Sequence, residues 1–213
     1  MQLVIQQLLP TYFNETVTQR SEIWGKELVF EKGELVKIVA PSGSGKSSLI
    51  NFLYGMRHDY NGTISYAGKN MDRFSLEELA RYRKDHISIV FQDMKLFEEQ
   101  TVQQNLEIKR QLNPYHPAEK INEMSKRVGV ADRLSYKCGT CSYGEQQRVA
   151  IIRALLQPFD ILLLDEPFSH LDNDNSEKAM RLILEEAKAR NATVIFADLE
   201  RSEIFPFTRL YHL

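Results

Sequence analysis

Apolar and polar positions alternate between two periods along the chain, and the switches mark its elements. Residues 35–40, LVKIVA, form a short apolar run broken only by Lys37, which predicts a strand. It runs into PSGSGKS and then a helical pattern, SSLINFLYG, closed by Gly55. Asn61-Gly62 signals a turn, with a short strand expected over 63–66. Ser75 and Glu78 have capping-box spacing and open a helix expected to reach about Lys84. Residues 87–91, ISIVF, read as a buried strand. Residues 102–111 and 118–128 read as amphipathic helices separated by Pro114 and Pro117, and 144–156 as a third. ILLL, residues 161–164, is the most apolar run and is expected to be a central strand. Asn173 or Asp174 is expected to cap a long helix to about Arg190, followed by a strand over 193–197. Strand and helix alternate, so the pattern predicts an α/β fold with a mostly parallel sheet covered by helices. The helical stretch from about 95 to 156 falls between sheet strands and is expected to be an inserted subdomain.

Composition narrows the class. The chain has 213 residues, 43% hydrophobic and 26% charged, with a net charge of -2. That suits one domain with a sizeable core and gives no global basic field for nucleic acid or an anionic membrane. No apolar run approaches the ~18 residues that span a bilayer. The N-terminus lacks the flanks of a signal peptide, and the C-terminus lacks a lipidation motif. The expectation is a cytoplasmic protein. Two cysteines are too few for a disulfide framework. Cys138 and Cys141 have CxxC spacing, but a closed zinc site needs four ligands and no second pair supplies them.

Two segments carry chemistry. APSGSGKSS, residues 40–48, follows a strand and opens a helix. Gly43 and Gly45 let the backbone curl so that successive N–H groups face phosphate oxygens. Lys46 can reach the β- and γ-phosphates, and Ser47 can ligand Mg²⁺. Ala40 stands where G-x-x-x-x-G-K-[ST] has glycine. At positive φ it would cost about 1–2 kcal/mol. Pro41 behind it favours an extended conformation instead, in which alanine costs nothing. The second segment is ILLLDEP, a buried strand ending in two acids. Asp165 can hold Mg²⁺, and Glu166 can polarise an attacking water as general base. Together the segments predict nucleotide hydrolysis.

CSYGEQQR, residues 141–148, adds a second anion site: a serine hydroxyl and a glycine N–H at a helix start. With it, the chain resembles the ATP-binding cassette ATPases over nearly its whole length. APSGSGKSS, VFQD with Gln92, CSYGEQQRVAIIRALL, ILLLDEP and SHLD with Asp172 stand in that family's order. The third element is the most diagnostic, although Cys141 and Tyr143 depart from the family's LSGGQ. The resemblance implies a P-loop NTPase (RecA-like) fold with an N-terminal antiparallel β region. Residues 1–94 and 157–213 would form the nucleotide-binding core. About 95–156 would form the helical subdomain. It implies ATP and Mg²⁺ as cofactors, with ATP held by Tyr12 (or Phe13) against adenine and by Ser42, Gly43, Ser44, Gly45, Lys46, Ser47, Ser48 and Gln92. The metal ligands would be Ser47, Gln92 and Asp165, and Glu166 the catalytic base. Ser142, Gly144 and Glu145 would touch ATP held by a partner's Lys46 in a head-to-tail dimer, and Asp172 would meet the partner's phosphate loop. Cys141 then replaces an apolar leucine, and Tyr143 must point away for close approach. The family's histidine after the last strand is absent: Asp198 or Leu199 occupies that region. An ionised aspartate cannot donate to phosphate, which bears on hydrolysis rate rather than binding.

The implied function is an ATPase subunit driving separate transmembrane permease chains, peripheral on the inner face of the membrane and without nucleic acid. GEQQRVAIIRALL and VFQDMKLFEEQTVQQNL are similar to the lipoprotein-release, macrolide-export and cell-division branch. The alternative is a regulatory or mechanotransmitting ATPase with slow turnover. A repair or ribosome-associated cassette would carry coiled-coil insertions or a tandem cassette. A small-molecule kinase would have no reason for CSYGEQQR.

Overall fold

A computed structural model describes residues 1–13, 20–199 and 206–213. Five strands form a parallel sheet in the order β6-β7-β8-β3-β9: β3 (Leu35–Val39), β6 (Ile87–Val90), β7 (Ile161–Asp165), β8 (Thr193–Asp198) and β9 (Arg209–His212). Four others form an antiparallel sheet in the order β2-β1-β4-β5: β1 (Leu3–Pro10), β2 (Glu27–Phe30), β4 (Tyr60–Tyr66) and β5 (Lys69–Asn70). The helices are α1 (Lys46–Leu53), α2 (Leu76–Asp85), α3 (Val102–Leu112), α4 (Glu119–Arg127), α5 (Tyr143–Leu155) and α6 (Asn173–Arg190).

Strand pleating divides the interior into two cores. Ile161 and Leu163 of β7 join Val36 and Ile38 of β3, α1 and the antiparallel sheet in one. Leu162 and Leu164 face the other way, among Val102 and Leu106 of α3, Ile121 and Met124 of α4, Val149 and Ile152 of α5, and Leu182 and Ile183 of α6. The helices between β6 and β7 therefore share an interior with α6 and the sheet. All five residues of β7 are buried, as a strand covered on both faces requires. It lies between β6 and β8, and β8 rather than β7 holds the middle position. Among the described residues no helix is long and apolar enough to cross a membrane.

Two local expectations fail for identifiable reasons. Asn61-Gly62 is not a turn but lies inside β4. Gly62 takes φ +95° opposite a register shift between Gln6 and Leu9, where Gln7 has φ +53°. A Cβ on Gly62 would sit 2.4 Å from the Gln7 carbonyl oxygen, so the glycine serves a bulge. The tight turn comes at Ala67-Gly68, both at positive φ, between β4 and β5. The cap of α6 is Asp172, whose carboxylate accepts from the Asn175 N–H at 2.8 Å, rather than Asn173 or Asp174. By contrast, Gly55 ends α1 at φ +72°, and Ser75 with Glu78 forms the expected capping box of α2.

Candidate functional site

The phosphate loop joins the end of β3 to α1. Gly43 and Gly45 take φ +79° and +95°. Ala40 is not among the positive-φ residues, in line with the constraint from Pro41. Ser44 turns its hydroxyl back to the Pro41 carbonyl at 2.7 Å, and the Trp24 indole N–H donates to the Ser44 carbonyl at 3.3 Å. Lys46 is 4% exposed, and its ammonium donates to the carbonyls of Ala40 at 2.8 Å and Pro41 at 3.0 Å. It also pairs with Glu166 Oε1 at 3.4 Å. The cation is thus buried beneath the loop among oxygens.

A cavity of about 260 Å³ opens above it. Tyr12, Ser42, Gly43, Gly45, Lys46, Ser47, Ser48, Gln92 and Glu166 line it, so most of the expected ATP-contacting residues converge. Ser44 does not line it. Tyr12 is half exposed, with its phenol 2.5 Å from the Ser48 hydroxyl and the Arg57 guanidinium 5.4 Å from its ring centroid. Phe13 packs edge-on against Trp24 and supports Gly45 from below. Arg57 was not anticipated: nothing in its local sequence marks it.

Ser47 and Gln92 also line an adjoining cavity of about 400 Å³ with Asp165. The Ser47 hydroxyl lies 3.3 Å from Gln92 Oε1. Asp165 is 2% exposed, and burial pushes its carboxyl up to about 6; a Ser47 hydrogen bond pulls it down, and the neighbouring Glu166 charge pushes it up. Its Oδ1 is buried without a hydrogen-bond partner. An orphaned carboxylate oxygen beside a hydroxyl and an amide oxygen is a hard-donor set that fits Mg²⁺. Among the described residues no cluster of three His, Cys, Asp or Glu offers a different metal site.

Glu166 is 9% exposed and takes φ +45°, a left-handed conformation that costs a non-glycine residue roughly 1–2 kcal/mol. Its N–H donates to the Ala197 carbonyl at 2.9 Å, and Gln92 Nε2 donates to its Oε2 at 3.3 Å. The sequence marked the carboxylate but not this backbone.

Ser142, Gly144, Glu145 and Asp172 lie outside both cavities. Ser142 caps α5, and its hydroxyl accepts from the Glu145 N–H at 3.3 Å. The Glu145 carboxylate accepts from the Ser142 N–H at 2.7 Å, and an ion pair with Arg133 at 2.8 Å holds it below the usual carboxylate range. A Cβ on Gly144 would lie 2.9 Å from the His170 carbonyl oxygen. Tyr143 is 67% exposed, and its ring stacks on His170 at 5.4 Å.

Cys138 and Cys141 are both buried in the helical core. Burial pushes the Cys138 thiol up to about 11 and raises Cys141 as well. These are protonated, apolar side chains without the low-pKa thiolate that redox work needs. Asp198 ends β8 and pairs with the buried Lys37 at 3.8 Å, over the Phe196 and Phe207 rings. Leu199 follows, 45% exposed. The rest of that segment, 200–205, lies outside the described residues.

Comparison with known proteins places the chain in a family. The ABC transporter family matches residues 25–169. The chain is 35% identical over 167 residues to the ABC transporter ATP-binding protein YtrE of Bacillus subtilis (strain 168), covering 77% of this chain and 72% of that one. It is 36% identical over 174 residues to the macrolide export ATP-binding/permease protein MacB of Shigella flexneri, covering 80% of this chain but 27% of MacB. The chain thus spans about a quarter of the MacB length. Its fold matches a dimeric bacterial ABC transporter cassette, MJ0796, at TM-score 0.77 and 28% identity, over 92% of this chain and 88% of that one. The same cassette in a dimeric post-hydrolysis state with ADP and Pi matches at TM-score 0.80 and 26% identity, over 93% and 88%. An α/β core that gathers Lys46, Gln92 and Glu166 around one cavity, taken with the family match and these relatives, leads to one assignment: the chain belongs to the ABC transporter family, as an ATP-binding and ATP-hydrolysing cassette.

Proposed function

We propose that this cassette powers separate membrane permease subunits through ATP-dependent dimerisation, as a peripheral subunit on the cytoplasmic face. The observation that carries the reading is the split of its phosphate-facing groups. Lys46, Ser47, Gln92 and Glu166 meet at one cavity, while the capped start of α5 does not line it; in this reading a second chain brings that helix start to a nucleotide. In the head-to-tail pair, Ser142, Gly144 and Glu145 contact ATP held by the partner, and Asp172 borders the partner's phosphate loop. Tyr12 stacks on adenine. Gly43, Ser44 and Gly45 present N–H groups to the phosphates, flanked by Ser42 and Ser48.

Ser47, Gln92 and Asp165 would hold Mg²⁺, which would supply positive charge against the bound phosphates. Glu166 orients a water in line with the γ-phosphate and takes its proton; Gln92 aims the carboxylate. Lys46 leaves its loop carbonyls to meet the incoming phosphates. Residues 1–94 and 157–213 act as the nucleotide-binding core, and about 95–156 as a helical subdomain hinged at Gln92 that passes closure to the permease. Similarity to MacB supports export as the task.

A second reading rests on one observation. The end of β8 carries Asp198, engaged with Lys37, where the family has a histidine donor. This favours a slow, regulatory turnover that moves no substrate. The experiment is steady-state ATPase activity of the chain alone and with its co-purified membrane partner, with Glu166→Gln as control. Transport predicts marked stimulation by the partner and loss in the variant. Slow turnover insensitive to the partner supports the regulatory reading, and full activity in Glu166→Gln overturns both.

A further inference from the structure

We propose that Gln147 is a positioning residue that ties the nucleotide-contacting start of α5 to the backbone of Glu166 in the same chain. The inference rests on the reading that Ser142 and Gly144 contact the partner's ATP and that Glu166 is the base. Gln147 is 1% exposed, and every polar atom of its amide is used. Its Nε2 donates to the Glu166 carbonyl at 3.1 Å and to the Ser169 hydroxyl at 3.2 Å. Its Oε1 accepts from the His170 N–H at 2.9 Å. These partners fix which way the amide faces.

The rest of the helix turn serves the same segment. Tyr143 and Gly144 lie four and three residues before Gln147, so all three share one face of α5. The Tyr143 ring stacks on His170, and the Gly144 backbone admits the His170 carbonyl at a distance that leaves no room for a Cβ. Residues 166–171 are therefore clamped to the first two turns of α5 at three points. Glu166 is the first of them, held at φ +45°. A backbone in that region persists only where its surroundings over-determine it, and the Gln147 amide is one such restraint. Two further bonds hold the Glu166 main chain: its N–H donates to the Ala197 carbonyl at 2.9 Å, and its carbonyl accepts from the Ser169 N–H at 3.3 Å. A triphosphate docking against Ser142 and Gly144 thus acts on the same rigid piece that aims this chain's own base.

The test uses the intact chain with Gln147→Glu and Gln147→Leu. The glutamate keeps an acceptor for the His170 N–H but has no donor for the Glu166 carbonyl; the leucine removes all three bonds. The readouts are kcat for ATP hydrolysis, the Kd for trinitrophenyl-ATP, and Tm. A misaimed base predicts a kcat lowered about 10–100-fold in both variants. Nucleotide Kd should stay within about twofold, since neither variant alters a residue lining the cavity. Should the leucine variant fail to fold, the glutamate variant decides. The inference is overturned if Gln147→Glu keeps kcat within about twofold of the unmodified chain, or if Kd rises in step with the fall in kcat. Glu166→Gln in parallel keeps the two ideas apart: full turnover there removes the underlying reading, whereas its loss beside an unaffected Gln147→Glu removes this inference alone.

Discussion

Removing the Glu186 carboxylate should expose an acid-sensitive contribution to stability, and the structure supplies its size. Glu186 lies on α6 with 9% of its side chain exposed. His116 Nε2 lies 2.8 Å from its Oε2, and Arg190 pairs with the same oxygen. The Arg190 guanidinium stacks on Tyr115 at 3.9 Å and Phe159 at 4.4 Å and donates to the Leu155 carbonyl at 2.9 Å. The cluster thereby joins the connection between α3 and α4 to α6 and the end of α5. Burial pushes the carboxyl up, but hydrogen bonds and charge from His116 and Arg190 outweigh it and hold the group at about 2, down from 4.5. At about 1.4 kcal/mol per pKa unit, the depression is worth about 3 kcal/mol. A depressed carboxylate stabilises fully above its unfolded value, so the contribution is complete above pH 4.5 and drains away as pH falls toward 2. Urea unfolding of the unmodified chain and Glu186→Gln at pH 7, 5, 4 and 3 reads it directly. The gap should be about 3 kcal/mol at pH 7 and 5 and shrink below 4.5. A gap of equal size at pH 7 and pH 3, or none at pH 7, refutes the reasoning.

Other outcomes follow from single positions. Gly62→Ala should destabilise by at least about 2 kcal/mol in urea unfolding, because the new Cβ meets the Gln7 carbonyl at positive φ; a neutral result would mean the bulge relaxes freely. Tyr12→Ala should weaken ATP binding about 10–100-fold by titration, while Tyr12→Phe, which keeps the ring and loses the Ser48 bond, stays close to the unmodified chain. At pH 8 about one Cys138 thiol in a thousand is ionised, so labelling by a thiol reagent should await unfolding. Rapid labelling of the native chain would restore a redox role for the CxxC.

The legible parts of the molecule are those where a local pattern has one physical solution. An all-apolar run such as 161–164 has to be covered on both faces, and β7 is. The phosphate-loop glycines Gly43 and Gly45, Lys46 after them and Glu166 at the end of ILLLDE line one cavity, and Asp165 lines the adjoining one. Ser75 and Glu78, three apart before an apolar stripe, announced a cap. What escaped depends on pairing between distant segments. Gly62 has the same preference for positive φ in a turn or a bulge, and only its partner Gln7 decides between them. Strands β1, β2 and β9 carry weak alternation and exist through their neighbours. Asp172, read as a partner-facing residue, also caps α6, and the sequence assigned the cap one or two residues late. Gln147 looked like one more polar residue in a helix, because its partners lie 19 to 23 residues away.

The central claim is that each nucleotide pocket is completed by a second copy of the chain. Lys46→Ala and Ser142→Arg chains should each lack ATPase activity, since every pocket in either homodimer is damaged. Mixed together, they form heterodimers in which one pocket carries both lesions and the other neither. The account predicts that turnover reappears on mixing and peaks near equal proportions. Full activity of Ser142→Arg alone, or no recovery at any ratio, would contradict it.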